Sequence, residues 1–259
     1  MPTPIDIFLD PISLSVLGLY AVLIAWEAQA PARKLPVVTG WLPRTLATFI
    51  AYFLLSSYLP LLWDKYLAPF QVIDLQHLGT IGGAVAGLLV YNLLHYAWHR
   101  SMHASDMLWR IFHQMHHSAE RLDTYGAFYM SPWDMVGFTL VGSLALVAGV
   151  GITAEAATVF LFAAMFFAIF QHTNVRTPRW LGYFVQRPES HNLHHGKGLH
   201  RYNYADLPIF DIIGGTFRNP ASYEMETGFY DGASSRVGDM LMFRDVSEPE
   251  HPRTAENAA

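Results

Sequence analysis

The sequence predicts an all-α fold, an integral membrane helical bundle of about four to five membrane segments with a cytosolic, histidine-rich di-metal cap. Hydrophobic residues make up 52% of the chain and charged residues only 14%, whereas soluble domains average about 25% charged residues. Five apolar runs approach the length of a membrane-spanning helix, about 20 residues. The 13 histidines fall mostly in short clusters. Together these observations favour a membrane protein that binds metal ions through histidine.

The five apolar runs contain no Lys or Arg in their interiors. They span residues 12–26 (extendable to 30), 45–63, 78–98, 135–150 and 154–170. The last two runs are short and nearly contiguous, so they predict a tight hairpin that either crosses the membrane fully or enters it and returns. Glycine and alanine recur over residues 79–87 in the third run, a pattern typical of close helix packing in lipid.

The distribution of Lys and Arg predicts an orientation. If all five runs cross and the N-terminus lies outside, every Lys and Arg except Lys65 falls on the inner side, as expected for cytoplasmic loops. The start of the chain lacks the basic region of a secretory signal. We therefore expect a multi-pass membrane protein with a cytoplasmic catalytic face and its N-terminus on the opposite side.

Domain organisation follows from the same patterns. Residues 1–220 are predicted to form one membrane-embedded domain, with a histidine-rich core at 90–220. Residues 221–259 lose apolar periodicity and are predicted to be a C-terminal tail, partly disordered. The absence of cysteine excludes disulfides, thiolate zinc sites and iron–sulfur clusters. The basic residues form no stripe that would follow phosphates, so no nucleic-acid partner is expected.

The clustered histidines recur at helical spacing. His95, His99 and His103 are four residues apart, which places them on successive turns of one helix face. Two HxxHH motifs, at 113–117 and 191–195, also place their histidines on one helix face. His172 follows the fifth apolar run. Because the predicted topology carries all four groups to the same side of the membrane, they predict a shared metal site.

The number of histidines indicates how many ions the site holds. Imidazole suits Zn, Cu, Fe and Ni, and a structural zinc site takes four ligands. Nine or ten imidazoles are too many for one ion and fit two ions with four or five nitrogens each. Carboxylate ligands, which soluble di-iron bundles use, are few near these clusters. The sequence therefore predicts a binuclear site with nitrogen ligands.

Five segments carry a resemblance to a known family. They are HRSMH (99–103), LWRIFHQMHHS (108–118), FQHTN (170–174), SHNLHH (190–195) and NYADLPIFDIIGGTF (203–217). In their order and spacing they resemble the fatty acid hydroxylase/sterol desaturase superfamily of integral membrane di-metal oxygenases. The resemblance covers roughly residues 90–220, about half of the chain.

This resemblance implies a monooxygenase or desaturase with two iron ions and O2 as co-substrate, acting on a C–H bond of a sterol-like or fatty acyl lipid. The implied metal ligands are His99, His103, His113, His116, His117, His172, His191, His194 and His195. Five further residues are candidates for additional ligands or for hydrogen-bond partners of the ligands' second ring nitrogens. They are His95, His200, Asn174, Asn203 and Asp211. For His95 the partner role is favoured. Further candidate partners are Asp123, Asp134, Glu189 and Asn192, and Asp211 and Asn203 are preferred from the family pattern.

The expected partners are a lipid from the bilayer and a separate electron donor, a ferredoxin or cytochrome with its reductase, because the chain encodes no such module. Candidate residues for a lipid path are Phe128, Tyr129, Met130, Phe166, Phe167 and Phe170, although ordinary packing explains each of them alone. Two other functions stay open, a zinc-dependent membrane hydrolase or lyase and a non-catalytic metal-binding membrane protein. The absence of HExxH counts against the hydrolase.

Overall fold

The structure, a computed structural model, describes residues 1–249 and confirms the all-α membrane bundle. Its helices are α1 Pro4–Leu9, α2 Pro11–Gln29, α3 Trp41–Leu67, α4 Gly79–Ala104, α5 Asp106–Leu108, α6 Gln114–His117, α7 Pro132–Ser143, α8 Ala154–Phe170, α9 Pro188–His194, α10 Ile209–Ile213 and α11 Val237–Leu241. Trp109–His113 and Leu144–Gly149 are π-helical. Two short strands, β1 Ile73–Asp74 and β2 Val150–Gly151, pair in parallel.

All five predicted membrane segments are helical. Four stretches are long and apolar enough to cross a membrane: Pro11–Gln29, Trp41–Phe70, Gln76–Ala104 and Pro132–Gly149. The fifth, α8, is shorter, at 17 residues. Side-chain caps set where these helices begin, since Asp10 accepts a hydrogen bond from the Ile12 N–H, at 2.9 Å, and Thr153 accepts one from the Ala156 N–H, at 3.2 Å. The chain is therefore consistent with a multi-pass membrane protein.

Small residues bring α4 and α8 close together. A Cβ added to Gly83 on α4 would lie 2.9 Å from the Cβ of Ala156 on α8, and one added to Gly87 would lie 3.0 Å from Leu146. These distances leave no room for a larger side chain. The glycine-rich face of the third apolar run is thus a helix-packing surface, as its composition indicates.

Gly83→Leu should therefore destabilise the bundle. Forcing extra methylenes into a close-packed contact costs about 1–3 kcal/mol, and here they would push α4 away from Ala156. Thermal unfolding of the detergent-solubilised protein measures the effect. Gly18→Leu on α2 is the matched control, because an added Cβ there has no neighbour within 4 Å. Equal unfolding temperatures for the two variants would contradict close packing of α4 on α8.

The cap, the histidine-rich part of the structure beyond the membrane helices, lies at one end of the bundle. At this end α2, α4 and α8 end and α3 and α7 begin. Glu27, near the end of α2, accepts hydrogen bonds from the Thr124 N–H, at 2.8 Å, and the Asn174 N–H, at 3.0 Å. Trp41, at the start of α3, donates its indole N–H to Asp123 over 3.1 Å. These contacts join the connecting segments of the cap to the helix ends. They fix the positions of the segments that carry the histidines.

The C-terminal stretch from residue 221 packs against the cap as far as the structure describes it. Phe229, Met240 and Val246 are buried in one cluster with Trp41 and Tyr129. The sequence assigned this stretch to a tail because its apolar residues are unevenly spaced, yet irregular segments also bury side chains. The remaining residues of that tail, 250–259, lie outside the described part, so their disorder and the domain boundary at 220 stay predictions.

Candidate metal centre

The structure gathers all nine predicted ligand histidines into two adjacent groups. Within each group one ring nitrogen of every member lies within 4.8 Å of those of the others. The first group contains His99, His103, His113, His117 and His194, and the second contains His116, His172, His191 and His195. The rings of His117 and His195 stack with centroids 4.1 Å apart, so the groups touch. The two groups offer five and four ring nitrogens, and the binding of two ions with four or five nitrogens each stays a prediction.

Each HxxHH motif contributes to both groups. His113 and His117, four residues apart, belong to the first group, whereas His116 between them belongs to the second. In the later motif the assignment is the opposite. His191 and His195 belong to the second group, and His194 belongs to the first. Residues three and four apart are neighbours on a helix face, but consecutive residues such as His116 and His117 point about 100° apart. A single helical turn can therefore serve two ions.

Hydrogen bonds fix which nitrogen is free in two rings of the second group, His116 and His172. His116 Nδ1 lies 3.1 Å from the Tyr129 carbonyl oxygen, and His172 Nδ1 lies 2.6 Å from that of Ala168. A carbonyl oxygen can only accept, so both Nδ1 atoms carry the proton. Burial lowers the pKa of His116 to about 4 and that of His172 to about 3, so both rings are neutral at pH 7. Their Nε2 atoms, 3.1 Å apart, then face each other as bare lone pairs.

The first group contains the same kind of contact. His99 Nδ1 donates to the Tyr204 carbonyl oxygen over 2.7 Å, and His194 Nδ1 donates to that of Tyr202 over 2.7 Å. Both rings therefore have a free Nε2 atom. His113 Nδ1 lies 2.8 Å from Asp134 Oδ2, and the Nε2 atoms of His99 and His113 are 2.9 Å apart.

These convergent nitrogens fit a bound cation. Two nitrogens about 2.1 Å from one ion and at right angles to each other would be about 3.0 Å apart, which matches the separations of the facing Nε2 atoms. Several other ring nitrogens are buried and lack a hydrogen-bond partner in the described residues. They are Nε2 of His103, His117 and His194 and Nδ1 of His195. Because an unpaired buried polar atom is costly, the two groups are suited to metal ions.

His95 and His200 lie outside both groups. His95 Nδ1 is 3.2 Å from the Tyr91 hydroxyl and 3.6 Å from Asp206 Oδ2. His200 Nδ1 is 3.1 Å from His117 Nδ1, and burial lowers the pKa of His200 to about 4. His200 is thus in contact with a histidine of the first group through that ring's second nitrogen.

The other candidate partners do not follow the order of preference from the sequence, in which Asp211 and Asn203 came first. Asp211 accepts the Tyr204 N–H, at 2.8 Å, so it supports the peptide whose carbonyl binds His99. Asn203 bonds backbone atoms of Ser190 and Arg218, and Asn174 bonds the backbone of Arg33. None of the three contacts a histidine of the two groups through its side chain. Among the candidate carboxylates and amides, direct contact with a histidine belongs to Asp134.

Sequence reasoning missed the backbone carbonyl partners and Gln186. The side-chain amide nitrogen of buried Gln186 lies 3.0 Å from His191 Nδ1 and 2.8 Å from the Asn203 carbonyl oxygen. Gln186 precedes its motif by five residues, in a loop before α9. No spacing rule identifies a contact made through a folded loop. Carbonyl groups carry no sequence signal at all.

An apolar cavity opens beside the second group. It is bounded by His95, His99, His113, His116, His172 and His191 and by aromatic and aliphatic side chains of α3, α4, α7 and α8. Phe128 and Met130, from the predicted lipid path, line it. Tyr129 packs against Trp41 instead, and Phe166, Phe167 and Phe170 are absent from the described lining. The sequence did not identify Tyr52, Tyr91, Phe138 and Met165, which line it.

Comparison with known proteins agrees with this site. The family model described as fatty acid hydroxylase matches residues 84–216, just over half of the chain. The matched region contains every histidine of both groups. No curated protein and no solved structure matches the chain. The family match and the paired histidine groups support a membrane lipid hydroxylase or desaturase that binds metal. The chain belongs to the fatty acid hydroxylase family, within the fatty acid hydroxylase/sterol desaturase superfamily.

Proposed function

We propose that this protein is a di-iron oxygenase that uses O2 and external electrons to hydroxylate or desaturate a C–H bond of a membrane lipid. The observation that carries the proposal is the pair of touching histidine groups, with five and four ring nitrogens. All nine imidazoles act as the ligands in this proposal. Five nitrogens exceed the four ligands of a structural zinc site, and imidazole also suits iron.

Iron held in the two groups would supply the electrons that activate O2 for attack on an unactivated C–H bond. The protein's own residues orient the ligand rings, since carbonyl oxygens and Asp134 bind the second nitrogens of the histidines. The apolar cavity walls exclude water and hold a lipid chain beside the rings. Phe138 and Phe128 belong to this wall.

The proposal includes an orientation and an electron donor. The cap faces the cytoplasm and the N-terminus lies on the other side, as the Lys and Arg distribution favours. Electrons come from a separate ferredoxin or cytochrome with its reductase. In this proposal the electron donor and the cap lie in the same compartment.

Metal analysis and Mössbauer spectroscopy of anaerobically purified protein test the proposal. We expect about two irons per chain and O2 consumption that depends on a reductant and an added lipid. Iron loading before the assay controls for zinc acquired during purification. Zinc in both positions, with no O2 consumption after iron loading, would favour the hydrolase or the metal-binding protein. Lipid profiling of cells with and without the gene then identifies the substrate.

A further inference from the structure

The cavity beside the histidines continues into the membrane bundle. A second cavity of about 270 Å³ lies between α3, α4, α7 and α8. The two cavities share the lining residues Tyr52, Tyr91, Phe138, Ala164 and Met165. The second cavity therefore adjoins the histidine cavity and extends away from it along the bundle.

One face of α3 lines the second cavity. Tyr52, Ser56, Pro60 and Asp64 all line the second cavity and are four residues apart, which places them on one side of the helix. Tyr52 lines the histidine cavity as well. Twelve residues of helix separate it from Asp64, a distance of about 18 Å at 1.5 Å per residue. Asp64 thus lies at the end of the space remote from the histidines.

Asp64 has an unsatisfied acceptor. Its Oδ1 atom is buried and has no hydrogen-bond partner among the described residues. Two hydroxyls that line the same cavity already have partners other than Asp64, since Ser56 donates to the Phe53 carbonyl oxygen and Ser143 accepts from the Trp63 indole. Pro60 has no N–H, so the Ser56 carbonyl oxygen loses its usual helix partner on this same face. Asp64 Oδ1 and the Ser56 carbonyl oxygen are therefore two acceptors along this face.

Asp64 directly follows the second apolar run, 45–63, and is partly exposed, whereas its Oδ1 atom is buried. An unpaired buried acceptor is stabilised by a ligand that brings a donor. A hydrocarbon chain that ends in a methyl group would leave the Asp64 oxygen unsatisfied. A hydroxyl at the end of an apolar ligand would satisfy it.

We propose that the two adjoining cavities together bind a lipid alcohol, whose hydroxyl donates to Asp64 while the opposite end of its apolar skeleton lies beside the histidines. The assignment of that opposite end as the reacting end rests on the proposed function. Asp64 is then a residue that determines specificity, far from the reacting carbon. It selects the substrate by the distance between its hydroxyl and the carbon to be oxidised.

Ligand binding to the metal-free protein tests this inference. The protein is placed in phosphatidylcholine nanodiscs, and cholestanol and cholestane, which differ by one hydroxyl, compete against a fluorescent sterol. Octadecanol and octadecane form a second pair in case the ring system does not fit. We expect the alcohol of at least one pair to bind about tenfold or more tightly than its hydrocarbon, the range for a hydrogen bond to a charged group.

Three variants locate the effect. Asp64→Leu removes the acceptor and should abolish the preference for the alcohol, whereas Asp64→Asn keeps an oxygen and should retain part of it. Ser57→Ala is the control on α3 and should leave the preference unchanged, because Ser57 is not among the described residues that line the cavity and its hydroxyl is bonded to the Phe53 carbonyl oxygen. Thermal unfolding shows whether each variant is folded. The wild-type comparison tests the inference even if Asp64→Leu does not fold.

Equal affinities within both pairs, or an unchanged preference in Asp64→Leu, would overturn the inference. The experiment contains no metal, so its outcome is separate from that of the proposed function. If the alcohol is preferred but the protein neither binds iron nor consumes O2, only the proposed oxygenase function is overturned. If lipid oxidation does not depend on the hydroxyl, only the proposed lipid-alcohol site is overturned.

Discussion

Replacing His172 with Ala should lower bound iron from about two ions to about one per chain and reduce O2-dependent turnover more than about 100-fold. The second group has only four histidines, and His172 Nε2 lies 3.1 Å from His116 Nε2 and 3.0 Å from His191 Nε2. Its loss leaves three nitrogens for that ion. Loss of a partner beyond the ligands already costs about 10–100-fold in affinity or activity, and loss of a ligand should exceed this. Iron analysis and O2 consumption measure the two effects together.

His77→Ala is the matched control, because His77 is exposed on a short helical turn far in sequence from both groups. It should keep the full iron content and activity. The first group should retain its own ion in His172→Ala, since all five of its histidines remain. Full iron content and turnover in His172→Ala would show that this histidine is not a ligand.

Asp134→Leu should weaken metal binding by the first group about 10–100-fold. Asp134 is fully buried and its Oδ2 lies 2.8 Å from His113 Nδ1. Leucine has a similar size but no acceptor, so the ring loses the contact that fixes its orientation and its free nitrogen. Competition with a chelator of known affinity measures the change.

Asp134→Asn separates orientation from charge in this test. Asparagine retains an oxygen that can accept the ring N–H, so it should preserve most of the affinity. The order wild type, Asn, Leu is therefore expected. Wild-type affinity in the Leu variant would mean that His113 is held by packing alone. Thermal unfolding of both variants controls for general loss of structure.

The membrane helices and the histidine groups were predictable because both depend on local periodicity. Long apolar runs specify helices in a bilayer, and histidines four residues apart must share a helix face. The partners of those histidines were less predictable. Asp134 was one of several candidate carboxylates, and its contact with His113 joins residues 21 apart through the tertiary fold. Nothing in the local sequence ranks it above Asp211.

Two other features depended on the three-dimensional arrangement. Phe229 and Met240 are buried in a segment without regular periodicity, which the sequence could not distinguish from a tail. The face of α3 that contains Ser56 and Asp64 is a stripe of polar residues in an apolar helix. Its spacing is visible in the sequence, but only the cavity shows that it faces inward. Long-range packing thus determines which of these side chains are buried, and the local sequence pattern does not.

The shared use of each HxxHH motif has a further consequence. Since one short helical turn supplies both groups, the spacing between the two groups depends on the geometry of that turn. Inserting a single residue within 191–195 would rotate the following histidines by about 100°. Both groups would lose a nitrogen at once, because His194 and His195 serve different groups. A change in the geometry of this turn would therefore affect both groups together, whereas a substitution of one histidine affects only the group to which it belongs.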